Sequence, residues 1–407
     1  MDKVLTFKAT VEQVLRFKMV GPLVPYAENF YKDLLKNGYT PKSANNLINL
    51  MAHLSRWLVS EGLQTSDLTP ARAADFLGAR HREGYKRLLS ERALSLLLDH
   101  LRHLGVIPEP EPPPVSPRDE LMERYLAYLL RERALMECTA KRLVKIARHF
   151  LSFATKPVEK LTARDVSLFL VQESSWRSSP HLKNLANGLR TLLRFLYVEK
   201  LVPIQLGGAV PAIAAWRLKP LPKALSSETV TRLLASCDDS AVGLRDRAIL
   251  TLLIRLGLRA GEAANLTFGD LDWQRGEIVI RGKGSKEERL PLPADVGEKL
   301  ADWIQKGRPR FRCSKVFTRI RAPFAALSMR GLSQVVRAAC YRIGEPPVYA
   351  HILRHTAATE MLRAGAGLGE IGQVLRHNDA ITTAIYAKVD RNALVILARP
   401  WPVKIDA

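Results

Sequence analysis

The chain has 407 residues, 47% of them hydrophobic, enough to bury the cores of two or three domains. Sixty-two Lys and Arg stand against 40 Asp and Glu, a formal net charge of +22. So large an excess costs self-repulsion and argues for a polyanionic partner. The basic residues are scattered through helical patterns rather than gathered in a juxtamembrane block, which favours nucleic acid over an anionic membrane. No uninterrupted apolar run is long enough to span a bilayer, and Met1–Lys8 lacks the apolar centre of a signal peptide. Cys138, Cys237, Cys313 and Cys340 have neither metal-ligand spacing nor a disulfide framework. They read as reduced and mostly buried. A soluble cytoplasmic protein that meets its partner inside the cell is expected.

Residues 1–108 predict an N-terminal helical domain of four or five helices. A Pro-rich linker at 109–117 follows, since a run such as Pro112-Pro113-Pro114 cannot hold a helix. Residues 118–205 predict a second domain of the same kind, and the pattern repeats. Asn46-Leu47, Leu50, His53-Leu54 and Trp57 match Arg142-Leu143, Ile146, His149-Phe150 and Phe153 at an offset of 96. Leu68-Thr69 to Phe76-Leu77 matches Leu161-Thr162 to Phe169-Leu170 at 93, and Leu97-Leu98 and Leu101 match Leu192-Leu193 and Leu196 at 95. Both Leu-Thr pairs read as helix starts with Thr as N-cap. A duplicated domain is the reading of this pattern. A second linker is expected at 206–225, with Gly207-Gly208, Pro211, Pro220 and Pro222.

From 226 to 407 the pattern predicts a mainly helical domain with a small antiparallel sheet. Ser226-Ser227-Glu228 opens a helix through Leu234, and Arg245–Leu256 is a second. Strands are expected at Glu277–Arg281 and Glu288–Leu292, joined by Gly282-Lys283-Gly284-Ser285-Lys286, with a third at Leu271-Asp272-Trp273. Helices resume at Ala294–Lys306, Leu332–Tyr341, Tyr349–Ala364 and Glu370–Leu375.

This last domain carries the candidate chemistry. Transfer at a phosphodiester without a metal needs planar, always-charged groups on the nonbridging oxygens, a proton donor for the leaving oxygen, and a nucleophile that conserves bond energy. Arg259 follows a helix through Gly257-Leu258. Lys283 sits on a Gly-Lys-Gly turn, with Lys286 as rival. His351 and Arg354 are three apart, on one helical face. His351 and His355 have zinc-helix spacing, but Ile352 replaces the glutamate of a zinc protease and no third ligand follows. A zinc site is therefore not expected, and His355 reads as structural. His377 closes a short helix, and Tyr386 lies nine residues on in Thr382-Thr383-Ala384-Ile385-Tyr386. Tyr341 and Tyr349 are its rivals.

The strings Gly257-Leu258-Arg259-Ala260-Gly261-Glu262, Arg281-Gly282-Lys283-Gly284, His351-Ile352-Leu353-Arg354-His355-Thr356, Leu375-Arg376-His377 and Tyr386 resemble, in order and spacing, the tyrosine recombinase (phage integrase) family. Arg376 departs from that family's Leu-Gly-His box. It is expected either to contact DNA backbone or to alter the helix end. Glu262 falls where the family keeps an acidic residue, to orient the arginine or to cap the next helix. The resemblance implies a core-binding SAM-like domain at 118–205, a possible second copy at 1–108, and a catalytic domain at 226–407. It also implies that Tyr386 attacks the scissile phosphate to give a 3′-phosphotyrosyl intermediate. Arg259, Arg354, His351 and His377 would then serve the phosphate, and Lys283 the leaving 5′ oxygen, with no metal or other cofactor. The implied partners are double-stranded recombination sites bound by a homotetramer, with an accessory DNA-bending or directionality factor. The tail Asn392–Ala398 is expected to dock on a neighbouring protomer or on its own domain. An integrase or transposase of a mobile element is the first reading. A chromosome-dimer resolvase, a type IB topoisomerase-like enzyme and a DNA-binding regulator derived from a recombinase are the alternatives.

Overall fold

The computed structural model describes residues 19–110, 116–213, 223–282, 287–377 and 380–389. The chain divides into two compact units, one of Met1–Glu109 with Pro220–Ala407 and one of Pro110–Lys219.

The N-terminal part of the first unit has four α-helices among its described residues: α1 (Ala27–Lys36), α2 (Pro41–Ser60), α3 (Pro70–Arg82) and α4 (Glu91–His103). Thr40 and Thr69 cap α2 and α3 by accepting from the N–H groups of Ser43 and Arg72, and Pro41 and Pro70 occupy the first helical position. Apolar residues three and four apart turn inward, and Phe30, Ile48, Leu54, Phe76 and Leu101 form the core.

The second unit has the same plan, with α5 (Pro117–Arg131), α6 (Glu137–Ala154), α7 (Ala163–Ser174) and α8 (Ser179–Val198). Thr162 and Asp165 form a reciprocal capping box at the start of α7. Positions matched by the sequence repeat share their environment. Leu54 and Phe150 are both fully buried, as are Leu101 and Leu196. Trp57 meets Phe76 with ring centroids 5.7 Å apart, and their counterparts Phe153 and Phe169 meet at 5.3 Å. The expected linker from 206 begins later than its glycines suggest. Leu206 and Val210 are buried in this unit's core, and Arg190 donates to the carbonyls of Val210 and Pro211.

The remainder of the first unit is built on α10 (Ala241–Leu256), which is buried on nearly every side. Around it lie α9 (Ser227–Ala235), α11 (Ala260–Asn265), α12 (Ala294–Asp302), α13 (Met329–Arg342) and α14 (Ala350–Arg363). Strands β1 (Leu271–Asp272), β2 (Glu277–Arg281) and β3 (Glu287–Pro291) form an antiparallel sheet in the order β1-β2-β3. Ile278 pairs with Leu271 and Leu290, and Ile280 with Glu288. Ile278 and Ile280 point into the core, while Arg281 points out and bonds Asp270 and Glu287. The chain ends its described part with α15 (Leu368–Val374), α16 (Ala380–Ala384) and a 3₁₀ turn, Ile385–Val389. This mainly helical fold with one small sheet is the expected class.

Three local expectations change. The predicted helix 294–306 is interrupted, because α12 passes into a π turn at Trp303–Gly307. Two of the four cysteines, Cys237 and Cys340, are buried, but Cys138 is exposed. The N-terminal helices, expected behind a spacer, belong to the same compact unit as the C-terminal domain. The N–H of Phe324 donates to the carbonyl of Asn37 at 2.9 Å, and the Phe324 ring covers Gly38. Among the described residues no helix is long and apolar enough to cross a membrane.

Candidate active site

The site begins at the C-terminal end of α10. Gly257 caps that helix with φ +58°, a conformation costly for residues with a Cβ. A Cβ there would also lie 2.5 Å from Leu375 Cδ2. Glycine is thus needed twice over, and its close approach brings α10, α14 and the end of α15 together. The Gly257 carbonyl accepts from Arg354 Nη1 at 2.6 Å, and the Leu375 carbonyl accepts from Arg354 Nη2. Arg354 on α14 is 2% exposed. Burial, then the charges of Arg259 and Arg376, push its pKa down to about 10. A guanidinium has five N–H donors, so two carbonyls do not exhaust it.

Arg259 stands at the start of α11, half-exposed. Glu262 does both things foreseen for it. Its Oε2 accepts from the Arg259 backbone N–H at 2.8 Å, capping α11, and its Oε1 accepts from Arg259 Nη1 at 2.6 Å. Burial works to raise the Glu262 pKa, but the backbone hydrogen bond and the charges of Arg376 and Arg259 hold it below the usual range. Arg259 Nη2 also donates to the carbonyl of Arg376 at 3.2 Å.

His377 follows α15. Its Nδ1 lies 2.7 Å from Thr383 Oγ1. Burial and the charges of Arg354, Arg259 and Arg376 lower its pKa to about 4. At neutral pH it is therefore an uncharged imidazole. In the tautomer whose Nδ1 accepts from Thr383, Nε2–H is a hydrogen-bond donor. Tyr386, in the last 3₁₀ turn, is 1% exposed and packs on Ala358, Ile371 and Leu375. Its ring is parallel to His377, with centroids 6.4 Å apart. Burial raises the Tyr386 pKa and the charge of Arg354 opposes that rise.

The Tyr386 hydroxyl is 2.7 Å from Nδ1 of His355, whose ring meets that of His351 at 4.2 Å. His355 was read from the sequence as structural; the fold instead sets it on the hydroxyl of Tyr386. Its position four residues from His351 was the available signal, and it pointed towards zinc chemistry. Among the described residues no group of three or more His, Cys, Asp or Glu is placed to hold a metal. Arg376, expected to reach DNA or disturb the helix end, is buried and pairs with Glu262. Tyr341 and Tyr349 are exposed on the surface. Lys283, Lys286 and the tail from Asn392 lie outside the described residues. Strand β3 brings Glu288 to a cleft of about 620 Å³ that Arg376, His377, Gly372 and Thr383 also line.

The Phage integrase family matches residues 223–393, the span that holds every one of these side chains. "Putative integrase/recombinase y4rA" of Sinorhizobium fredii (strain NBRC 101917 / NGR234) is 38% identical over 392 residues, covering 94% of this chain and 95% of its own. The chain belongs to the tyrosine recombinase family. It is accordingly a recombinase that cleaves and rejoins DNA. The tyrosine recombinase XerD of Listeria innocua serovar 6a (strain ATCC BAA-680 / CLIP 11262) is 29% identical and covers 67% of this chain and 95% of its own. The crystal structure of the XerH site-specific recombinase bound to palindromic difH substrate, a post-cleavage complex, shares the fold. Its TM-score is 0.54 at 21% identity, over 69% of this recombinase and 85% of that chain.

Proposed function

We propose that Tyr386 is the nucleophile and that Arg259, Arg354, His351, His377 and Lys283 complete the catalytic set. The phenol oxygen of Tyr386 forms a bond to the scissile phosphorus as the bond to the 5′ oxygen breaks. The products are a 3′-phosphotyrosyl enzyme and a free 5′ hydroxyl. Tyr386 starts protonated, because burial raises its pKa. Its proton passes to His355 Nδ1, the ring nitrogen 2.7 Å from the hydroxyl. Arg259 and Arg354 hold the nonbridging oxygens and neutralise the charge that builds on them. His377, uncharged at neutral pH, donates a hydrogen bond to the same oxygens. Lys283 gives a proton to the leaving 5′ oxygen. Its reach is supported by the β2–β3 hairpin, whose Glu288 lines the same cleft as His377. Energy stays in the protein–DNA ester, and the reverse attack by a 5′ hydroxyl rejoins a strand.

The observation that carries this reading is a convergence. Three stretches of sequence, at Arg259, at Arg354 and from His377 to Tyr386, deliver two guanidiniums, an uncharged imidazole and a buried phenol to one spot. We further infer that residues 1–108 and 118–205 are duplicated DNA-binding domains, and that four protomers act on two sites with an accessory factor. The enzyme then serves a mobile element. Relatives that match along nearly the whole chain bear the name integrase/recombinase, whereas the XerD relative covers 67% of the chain. A chromosome-dimer resolvase is the second reading.

Covalent trapping tests the assignment. Wild type and Tyr386→Phe are incubated with host and candidate element DNA, denatured rapidly, and the attached DNA is sequenced. Adducts at a few discrete sites in wild type alone are expected. Adducts that survive Tyr386→Phe overturn the nucleophile, and adducts spread evenly over the DNA point to a topoisomerase.

A further inference from the structure

The least expected residue in the site is Arg376. It follows α15 with φ +55°, in the left-handed region where a side chain costs on the order of 1 kcal/mol and glycine costs nothing. Such a conformation persists where surrounding contacts compensate for it. Here they do. The Arg376 side chain is 4% exposed, its Nη2 donates to Glu262 Oε2 at 2.9 Å, and its Nη1 donates to the Val374 carbonyl at 2.8 Å. Its own carbonyl accepts from Arg259 Nη2. Arg376 therefore constrains Arg259 twice, once by its backbone and once by holding the carboxylate that Arg259 leans on.

Charge gives the contact its consequence. Glu262 is the buried carboxylate beside Arg259; Glu288, which borders the cleft, is exposed. With glycine at 376, Glu262 would pair with Arg259 alone and cancel its charge. With arginine there, Glu262 is shared between two guanidiniums, and Arg259 keeps positive charge for an incoming anion. Arg354 adds its own. A phosphodiester gains a second negative charge as the nucleophile adds, so the surplus acts most strongly in the transition state.

We propose that Arg376 is a positioning residue of this recombinase, fixing Glu262 so that Arg259 faces the scissile phosphate in a set orientation and with its charge unspent. The proposal rests on the reading of Arg259 as a phosphate ligand.

Titration of inorganic phosphate into the full chain tests it without knowledge of the DNA target. Wild type, R376G, R376K and R259A are compared by calorimetry, with Tm measured for each. R259A is expected to abolish the specific heat of binding, which assigns that heat to this site. R376G should bind about tenfold more weakly, the order expected for loss of one nearby charge of partial burial. Its Tm is expected to fall, because loss of the buried pair with Glu262 outweighs the relief of the strained φ. R376K, which keeps the charge, should stay within about threefold of wild type. Phosphate binding by R376G within twofold of wild type, while R259A is silent, overturns the proposal. Binding unaltered in R259A overturns the phosphate-ligand reading of Arg259 instead. On a cleavage site recovered by trapping, R376G should slow single-turnover cleavage of the diester but not of a neutral methylphosphonate at the scissile position. Equal slowing of both would mean a merely structural residue and would also overturn the proposal.

Discussion

His377 shows how a single side chain is set by its neighbours. Burial and three guanidiniums bring its folded pKa to about 4, well below the ordinary histidine value of 6.5. The unfolded chain binds a proton near 6.5, whereas the folded chain resists it until about 4. The stability contributed by the uncharged ring is thus fully present above pH 6.5 and is lost as pH falls towards 4. The difference in unfolding free energy between wild type and His377→Asn should narrow over that window. Urea unfolding at a series of pH values checks it; a gap independent of pH would contradict the assigned cause. The residues His377 and Tyr386 stand out in the sequence by order and spacing. The burial of Tyr386, and the parallel arrangement of the two rings, depend on α14 and α15 passing the end of α10. His355 illustrates the converse. Its neighbours in sequence are His351 and Arg354, but its hydrogen-bond partner Tyr386 is 31 residues away, so no local pattern could assign it.

Among the elements, α12 is the instructive one. Its apolar periodicity predicts a helix continuing to Lys306, yet the backbone widens at Trp303–Gly307. The Arg308 N–H reaches back five residues to the Trp303 carbonyl at 2.8 Å. The Trp303 ring is fully buried, and its Nε1–H donates to the Val316 carbonyl at 3.0 Å. Placing a large ring and its donor together displaces the regular turn. Gly307 yields to it, since a Cβ there would lie 2.9 Å from the ring. Trp303→Ala should cost about 3–5 kcal/mol in urea unfolding. A cost below about 1 kcal/mol would mean that the ring does not organise this turn. The capping residues Thr69 and Thr162 and the paired strands β2 and β3, in contrast, were legible, because their signals are local.

For the whole molecule, the N-terminal helices and the C-terminal domain form one unit joined near Gly38 and Phe324. Gly38 has φ +87°, and a Cβ would come within 2.3 Å of the Phe324 ring. Gly38→Val is expected to release this contact, raising the radius of gyration in solution scattering and exposing the flanking loops to protease. Phe324→Ala should act in the same direction with less strain. Scattering identical to wild type in both variants would show that the contact does not hold the unit together. Nothing in the pattern around Gly38 or Phe324 marks them as partners, because 286 residues and two expected linkers separate them.

What the sequence by itself determined was the class of fold, the repeated helical pattern and the order of the candidate catalytic residues. Periodicity, caps and short motifs are properties of neighbours along the chain. What only the tertiary structure decided was which charges share a partner. Arg259 and Arg376 meet over Glu262, and His355 meets Tyr386. Those contacts arise where α10, α14 and α15 converge, and the energy of a buried charge depends on what surrounds it in space rather than on what precedes it in sequence.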